Sequence, residues 1–377
     1  MLGKMKNLIL VEDFDRDSCV FDFGGGGGRS GNKIIALTPM AMEKLNQYGY
    51  EYSIPGDYYV WHETPIYTRQ FQEWLDQLNE CLIRIYPELI DLDPPITVHC
   101  VAMLKNVMDA FTRRGKQFQA IMNKENPEVV CYLGGCSDET IDEELYFKGK
   151  SLFMRFADPL GEGVVYFING DCNLPKCVTN WRDNRGIRTI YDYFRYCGFL
   201  PSWGRGKRYL FASAMDGVLT FREKGRICEV AIDYDVAFQV GNYPINYSIV
   251  KGVASFTGID ISIVEKVLES RLYYFINTIV PKILKYKLAY QRYLFRKETD
   301  CVIFTRRNKL YQYGLLLAAS GMGIPTVYVK HGWEAYDNWS NDWRRLRVYD
   351  YFVTHNELDR VFFSKRVEEN GWKCEVV

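Results

Sequence analysis

The pattern of apolar and polar residues predicts a chain in which strands alternate with helices. Short apolar runs closed by turn residues are typical of buried strands, and they occur at 6–11, 33–37, 129–133, 164–168, 209–212, 301–305, 325–329 and 349–354, with a β-hairpin at 218–233. Apolar residues at helical spacing predict helices at 40–47, 69–86, 103–123, 262–297, 310–320 and 357–370. Strands that alternate with helices pair in parallel, so the predicted fold class is α/β with a Rossmann-like parallel sheet.

The most regular alternation lies between residues 301 and 370. Ligands of parallel sheets bind beyond the carboxyl ends of the strands. Polar residues follow each of the three predicted strands there: Arg306, Arg307 and Asn308 after the first, Lys330, His331 and Gly332 after the second, and His355 and Asn356 after the third. The sequence therefore predicts a ligand-facing edge that contains a His-Gly turn.

Charge and cysteine spacing exclude several classes of partner and site. The 47 Lys and Arg residues balance the 47 Asp and Glu residues, and the sequence pI is near 6.9. A dedicated nucleic-acid binder needs a basic surface, so no nucleic-acid partner is predicted. The pair Cys131 and Cys136 and the pair Cys172 and Cys177 are spaced more widely than typical zinc ligands, so no metal site is predicted.

Cysteine usage and hydropathy also predict the compartment. The 11 cysteines are scattered without a CxxC pair, which indicates a reducing environment. The apolar run at the amino terminus is too short for a signal peptide, and no stretch approaches the roughly 18 to 20 apolar residues of a membrane span. The sequence predicts a cytoplasmic protein.

The second half of the long predicted helix, after Pro281, is cationic. This half combines basic residues with apolar and aromatic residues. The basic residues are Lys282, Lys285, Lys287, Arg292, Arg296 and Lys297, and the others are Ile283, Leu284, Leu288, Tyr293 and Phe295. A solvated helix face explains such a mixture, and we favour this interpretation. The alternative is peripheral contact of residues 282–297 with an anionic membrane surface, at the inner face of the membrane.

Both ends of the chain resemble a known family. GIPTVYVKHGWEAYDNW (residues 323–339), YDYFVTHNELDRVFF (349–363) and GWKCEVV (371–377) resemble the end of the amino-terminal half of GT-B glycosyltransferases and related transferases that make surface and capsular polysaccharides. IIALTPMAMEKLNQYGYEYSIPGDYY (34–59) resembles the start of such proteins. In that family a strand delivers a His-Gly turn into the interdomain cleft.

The resemblance implies an architecture. It implies one α/β domain of the GT-B amino-terminal type over residues 1–377, with extra helices around 69–123 and a sub-boundary near 160–200. The donor-binding Rossmann domain of a complete GT-B enzyme would follow the end of this sequence and is absent from it. The chain is thus expected to be an acceptor-side half, either a fragment of a longer enzyme or a shortened relative.

The resemblance also implies a reaction, with two alternatives. A glycosyltransferase would move a sugar from a nucleotide-activated donor to a surface polysaccharide acceptor, with the nucleotide sugar as substrate and without a cofactor. The first alternative is transfer of an alditol phosphate such as glycerophosphate. The second is a non-catalytic carbohydrate-binding or assembly subunit.

His331 is the leading catalytic candidate. An imidazole after a strand end and before Gly332 can orient or deprotonate an acceptor hydroxyl, or donate a hydrogen bond to a leaving phosphate. The alternative is a structural histidine bonded to backbone. Gly332 would allow close approach of a substrate. Glu334 is the predicted catalytic partner of the imidazole and Asp337 a predicted substrate-binding residue, although either could instead cap the following helix.

The remaining candidates are predicted to bind substrate. Arg306, Asn308 and Lys330 suit phosphate oxygens or sugar hydroxyls, because guanidinium and ammonium groups donate strong hydrogen bonds to such oxygens. The alternative for these residues is solvated surface charge. Trp333 is predicted to stack on a sugar ring, with apolar packing as the alternative.

Overall fold

A computed structural model describes residues 7–12, 32–60, 69–134, 152–157, 164–168, 207–212, 227–231, 236, 238–305, 309–330 and 346–377. The chain divides into two compact units. Unit 1 comprises Met1–Trp74, Asn106–Arg182 and Ile245–Leu272, and unit 2 comprises Leu75–Lys105, Asp183–Pro244 and Tyr273–Val377. The resemblance implies one domain with a sub-boundary near 160–200. One of the divisions, after position 182, falls in that interval.

Strands and helices alternate along the described residues. The strands are β1 (Asn7–Val11), β2 (Asn32–Ala36), β3 (Val129–Gly134), β4 (Val164–Ile168), β5 (Arg208–Phe211), β6 (Ile227–Val230), β7 (Cys301–Phe304), β8 (Thr326–Val329), β9 (Tyr351–Val353) and β10 (Glu375–Val376). The α-helices are α1 (Pro39–Gln47), α2 (Arg69–Ile85), α3 (Ile96–His99), α4 (Val101–Glu125), α5 (Leu152–Ala157), α6 (Tyr247–Thr257), α7 (Ile261–Tyr274), α8 (Val280–Lys297), α9 (Leu310–Gly321) and α10 (Glu357–Glu369). Short 3₁₀ turns lie at Pro55–Asp57 and Pro87–Leu89, and a π-helical turn lies at Phe275–Ile279.

The predicted α/β class with Rossmann-like parallel sheets is confirmed, with two sheets instead of one. Unit 1 contains a sheet of strand order β2-β1-β3-β4, and unit 2 contains a sheet of strand order β10-β9-β8-β7-β5-β6. All of the pairings are parallel. Parallel sheets are covered on both faces, which explains why their strands read as continuous apolar runs.

The core of unit 1 forms where α1 packs on the sheet. Ile9 of β1 lies between Ile34 of β2 and Cys131 of β3, and all three side chains are buried. α1 contributes Ala41 and Leu45 to the same cluster. The helix begins at a proline, and the preceding Thr38 hydroxyl accepts a hydrogen bond from the Ala41 N–H at 3.1 Å. This threonine cap satisfies a backbone donor that the first helical turn leaves open.

Aromatic side chains join α2 to α6 within unit 1. The rings of Phe71 and Trp74 stack with centres 5.6 Å apart, and Phe256 of α6 meets both edge-on at 6.0 and 6.1 Å. The indole N–H of Trp74 donates a 3.0 Å hydrogen bond to the Ile249 carbonyl. Because the indole donor is satisfied, the ring can be buried without the penalty of an unpaired polar group.

In unit 2, aromatic residues pack α10 against the sheet. Tyr328 of β8 stacks on Phe352 of β9 with ring centres 5.6 Å apart, and Phe363 of α10 meets Phe352 edge-on at 4.9 Å. At the opposite edge of this sheet, β6 pairs in parallel with β5. The turn of the predicted hairpin at 218–233, at Lys224 and Gly225, lies outside the described residues.

The helical pattern over 262–297 is interrupted close to the predicted break at Pro281. Proline has no N–H to donate to the carbonyl four residues earlier, which is that of Asn277. The π-helical turn lies at this place, and the Asn277 carbonyl accepts a 2.8 Å hydrogen bond from the Gly241 N–H instead. The buried Asn277 side chain also bonds the backbone N–H and carbonyl of Tyr243 at 2.8 and 3.0 Å. The break in the helix thus anchors the segment around 241–243.

α8 and α9 approach each other closely at Gly314. A Cβ atom at this position would clash with the Tyr286 Cβ and lie 2.9 Å from the Ile283 carbonyl oxygen. No side chain fits there unless the two helices separate. Gly321, at the end of the same helix, has only the Gln291 amide nitrogen near its would-be Cβ, at 3.9 Å.

We predict that Gly314→Ala lowers the free energy of unfolding by about 1 to 3 kcal/mol, the range for overpacked cores. Differential scanning calorimetry should show a melting temperature several degrees lower. Gly321→Ala is the matched control and should leave the melting temperature unchanged or slightly higher, because alanine favours helix. Equal melting temperatures for the two variants would contradict the close contact at Gly314.

Candidate functional site

Strand order shows where a ligand can bind in unit 2. β5 lies between β6 and β7, the two strands that follow it in the chain, so the direction in which the sheet grows reverses between β5 and β7. In open parallel sheets this switch point leaves a crevice beyond the carboxyl ends of the strands, where ligands bind. The candidate site of unit 2 is therefore the edge formed by the ends of β5, β7, β8 and β9.

The first turn of α9 is fixed at this edge. The carbonyl oxygen of Ala212, just after β5, accepts hydrogen bonds from the Tyr311 hydroxyl at 2.8 Å and from Gln312 Nε2 at 3.1 Å. Gln312 Oε1 accepts the backbone N–H of Lys309 at 3.1 Å. The amino terminus of a helix carries partial positive charge, so its position at the switch point favours an anionic ligand.

Lys330 directly follows β8, and within the described part of the chain it is the one residue of the predicted site. Its ammonium nitrogen lies 3.0 Å from Asp359 Oδ2, and the two side chains are 3% and 5% exposed. The same nitrogen lies 5.2 Å from the centre of the Phe363 ring. The Asp359 N–H donates to Asn356 Oδ1 at 2.9 Å, which caps α10. Lys330 thus ties the end of β8 to the start of α10, and substrate binding by Lys330 stays a prediction.

The other predicted site residues lie outside the described residues. His331, Gly332, Trp333, Glu334 and Asp337 follow Lys330 in the chain, and Arg306 and Asn308 follow Thr305. Thr305 and Lys330 immediately follow the ends of β7 and β8 and are both buried. The roles assigned to the seven residues stay predictions.

Unit 1 has a switch point of the same kind. β1 lies between β2 and β3, so the direction of growth reverses between β1 and β3. Glu12 directly follows β1 at this point, and the residue is 2% exposed. Its backbone N–H donates to the Leu133 carbonyl at 2.7 Å, which extends the pairing of β1 with β3 by one residue. A carboxylate is therefore held at the place where ligands of such sheets bind.

The carboxyl group of Glu12 is oriented by a phenol and a glycine. The Tyr132 hydroxyl donates a short hydrogen bond to Glu12 Oε2. A Cβ atom at Gly134, the last residue of β3, would lie 2.9 Å from Glu12 Oε2 and 2.5 Å from Tyr132 Cε1. A side chain at 134 would therefore have to displace the phenol or the carboxylate.

Glu12 is not among the residues predicted from the sequence, because the rule that ligands bind beyond the carboxyl ends of parallel strands was applied only to residues 301–370. The same rule applied to the first predicted strand, 6–11, leads directly to an acidic residue at position 12. No pattern in the sequence indicates that the Glu12 carboxylate is buried beside a tyrosine. Tyr132 is 120 residues away and reaches Glu12 only through the pairing of β1 with β3.

Burial disfavours the thiolate form of three cysteines on the strands or beside them. Burial, with the charge of Asp350 as a smaller cause, raises the pKa of Cys301 to about 11 and that of Cys374 to about 12. Burial also raises the pKa of Cys131. Because the thiolate is the reactive form of cysteine, these raised pKa values disfavour a nucleophilic role for the three side chains.

The described residues contain neither a metal-binding cluster nor a membrane-spanning helix. No group of three or more of their His, Cys, Asp or Glu side chains could hold a metal ion. None of the helices described is both long enough and apolar enough to cross a membrane.

Comparison with known proteins finds no family model that matches the chain and no curated protein with a significant match to its sequence. The resemblance to GT-B glycosyltransferases is therefore carried by the quoted segments alone.

We predict that Lys330→Met lowers the free energy of unfolding by about 3 to 5 kcal/mol, because it removes the ammonium group that neutralises the buried Asp359 carboxylate. The double variant Lys330→Met and Asp359→Leu should recover most of that loss. Urea unfolding monitored by circular dichroism measures both. A Lys330→Met protein of unchanged stability would show that the ion pair does not hold β8 to α10.

Proposed function

We propose that the chain is a glycosyltransferase that moves a sugar from a nucleotide-activated donor to a hydroxyl of a surface polysaccharide acceptor. The observation that carries the proposal is the presence of two parallel α/β units, each with a switch point. Transfer between two bound substrates requires two ligand surfaces, and the two switch points offer one candidate surface each.

The donor is assigned to unit 2. Besides Lys330, four basic residues lie within five positions after the ends of β7 and β8, namely Arg306, Arg307, Lys309 and His331. Guanidinium groups and helix amino termini suit the phosphates of a nucleotide sugar. With two Rossmann-like units inside residues 1–377, the donor surface need not lie in a domain beyond this sequence.

The acceptor is assigned to unit 1, where the buried carboxylate of Glu12 lies at the switch point. A carboxylate can accept the proton of a hydroxyl that attacks the anomeric carbon. In the reaction the hydroxyl oxygen forms the new bond to that carbon, and the bond from the carbon to the donor phosphate breaks. The nucleotide leaves with the electron pair, and the proton passes to a general base, for which Glu12 and His331 are the two candidates.

We predict saturable binding of a nucleotide sugar or nucleoside diphosphate to the purified chain in calorimetric titrations. The panel should include a nucleotide-activated alditol phosphate, because exclusive binding of that ligand would replace glycosyl transfer by alditol-phosphate transfer. Arg306→Ala should weaken binding about tenfold or more, the loss expected for a charge-assisted hydrogen bond. Arg347→Ala removes an exposed arginine near the amino end of β9 and should not change the affinity. If folded protein binds none of the nucleotides, the donor assignment is wrong and a non-catalytic subunit is favoured.

We predict that Glu12→Gln and His331→Ala each lower turnover about 10² to 10⁴-fold, the range for loss of a proton-transfer group. Both should leave the melting temperature nearly unchanged, since glutamine can still accept the Tyr132 hydrogen bond. Glu43→Gln, an exposed position on α1, is the control and should retain full turnover. Full turnover in either variant would remove that residue from the mechanism.

A further inference from the structure

One face of α8 carries an exposed row of cationic and apolar side chains. The row consists of Lys285, Leu288, Arg292 and Phe295, and we call it the α8 stripe. Successive members are three or four residues apart, so they lie on one side of the helix. The opposite side is buried through Ile283, Tyr286, Tyr290 and Leu294. The stripe is therefore held in a fixed orientation by the core of unit 2.

The apolar members of the stripe are unusually open to solvent. Phe295 is 76% exposed and Leu288 is 49% exposed. Single exposed apolar residues are ordinary on protein surfaces. Here the two lie seven residues, or two helical turns, apart and alternate with Lys285 and Arg292. Solvation of the helix face does not explain why a phenylalanine is exposed between two basic positions.

The charge of the stripe is not balanced from within the helix. α8 contains no Asp or Glu. Its last residue, Lys297, does not belong to the stripe, because its buried ammonium pairs with Glu229 at 3.4 Å. Glu298, which follows the helix, is directed to Arg208 at 3.3 Å. Two neighbouring carboxylates, those of Glu229 and Glu298, thus pair with residues outside the stripe, and Lys285 and Arg292 give the stripe its positive charge.

We propose that the α8 stripe docks on a membrane surface that carries anionic lipids. Cations suit lipid phosphates, and apolar side chains between the cations can enter the boundary between headgroups and acyl chains. Charge complementarity selects this occupant. The stripe is a single convex row, which matches the plane of a bilayer. The inference is independent of the proposed reaction, since docking requires no substrate.

The size of the effect follows from the composition of the stripe. Each basic residue near an anionic surface raises the partition coefficient about fivefold. Reversing the charge of Arg292 should therefore weaken binding by well over fivefold. Replacing Phe295 by serine removes the most exposed apolar anchor and should weaken binding about tenfold or more.

The test is sedimentation of the full chain with vesicles, some of pure phosphatidylcholine and some with about a third phosphatidylglycerol. The wild-type chain should sediment with the anionic vesicles only, and added salt should release it. Arg292→Glu and Phe295→Ser should lose binding by the factors above. Controls on α10 are Leu358→Ser, at a residue 73% exposed, and Lys365→Glu, at a side chain 75% exposed; both should bind like wild type.

Circular dichroism and melting temperature establish that each variant is folded, which is expected for substitutions at exposed positions. The proposal is overturned if wild-type protein fails to sediment with anionic vesicles, or sediments equally with neutral ones. It is also overturned if the stripe variants bind like wild type, or if the α10 controls lose as much binding as the stripe variants.

Discussion

Parallel strand pairing is the constraint on which the rest of both units depends. In a parallel sheet the carboxyl ends of all strands lie at one edge, and a crossover connection joins successive strands. In each unit the first strand lies inside the sheet, with its second and third strands on either side. That arrangement creates the two switch points, and Glu12, Ala212 and the first turn of α9 owe their positions to it. The chemistry proposed for the chain follows from this pairing more than from any one motif.

Buried polar groups have different roles at the carboxyl edges of the two sheets. In unit 2 the ion pair of Lys330 and Asp359 satisfies both charges inside the fold, so it organises the ends of β8 and α10. In unit 1 the Tyr132 hydroxyl donates a hydrogen bond to the Glu12 carboxylate, which holds that group at the end of β1. The ion pair joins two elements of the fold, whereas the hydrogen bond positions an acidic group at a switch point, where ligands of such sheets bind. The acceptor is therefore assigned to the edge of unit 1.

The local elements could be predicted from the sequence because strand and helix signals are short-range. The run 301–305 corresponds to β7 at Cys301–Phe304, and the run 310–320 corresponds to α9 at Leu310–Gly321. The division into two sheets could not be predicted, since strand order depends on contacts between residues more than 100 positions apart, as between β1 and β3. The ion pair of Lys330 was missed for a similar reason. A lysine after a strand end looks like a ligand-binding cation until the fold brings an aspartate from the next helix beside it.

The contact of Gly134 with Glu12 and Tyr132 has a consequence for how the protein can change over time. A side chain at position 134 would occupy the space that the phenol and the carboxylate share. Position 12 is distant in the chain from positions 132 and 134, yet the three residues meet at one edge of the sheet. In related chains, a residue larger than glycine at 134 would therefore be expected together with a different arrangement of the groups at 12 and 132.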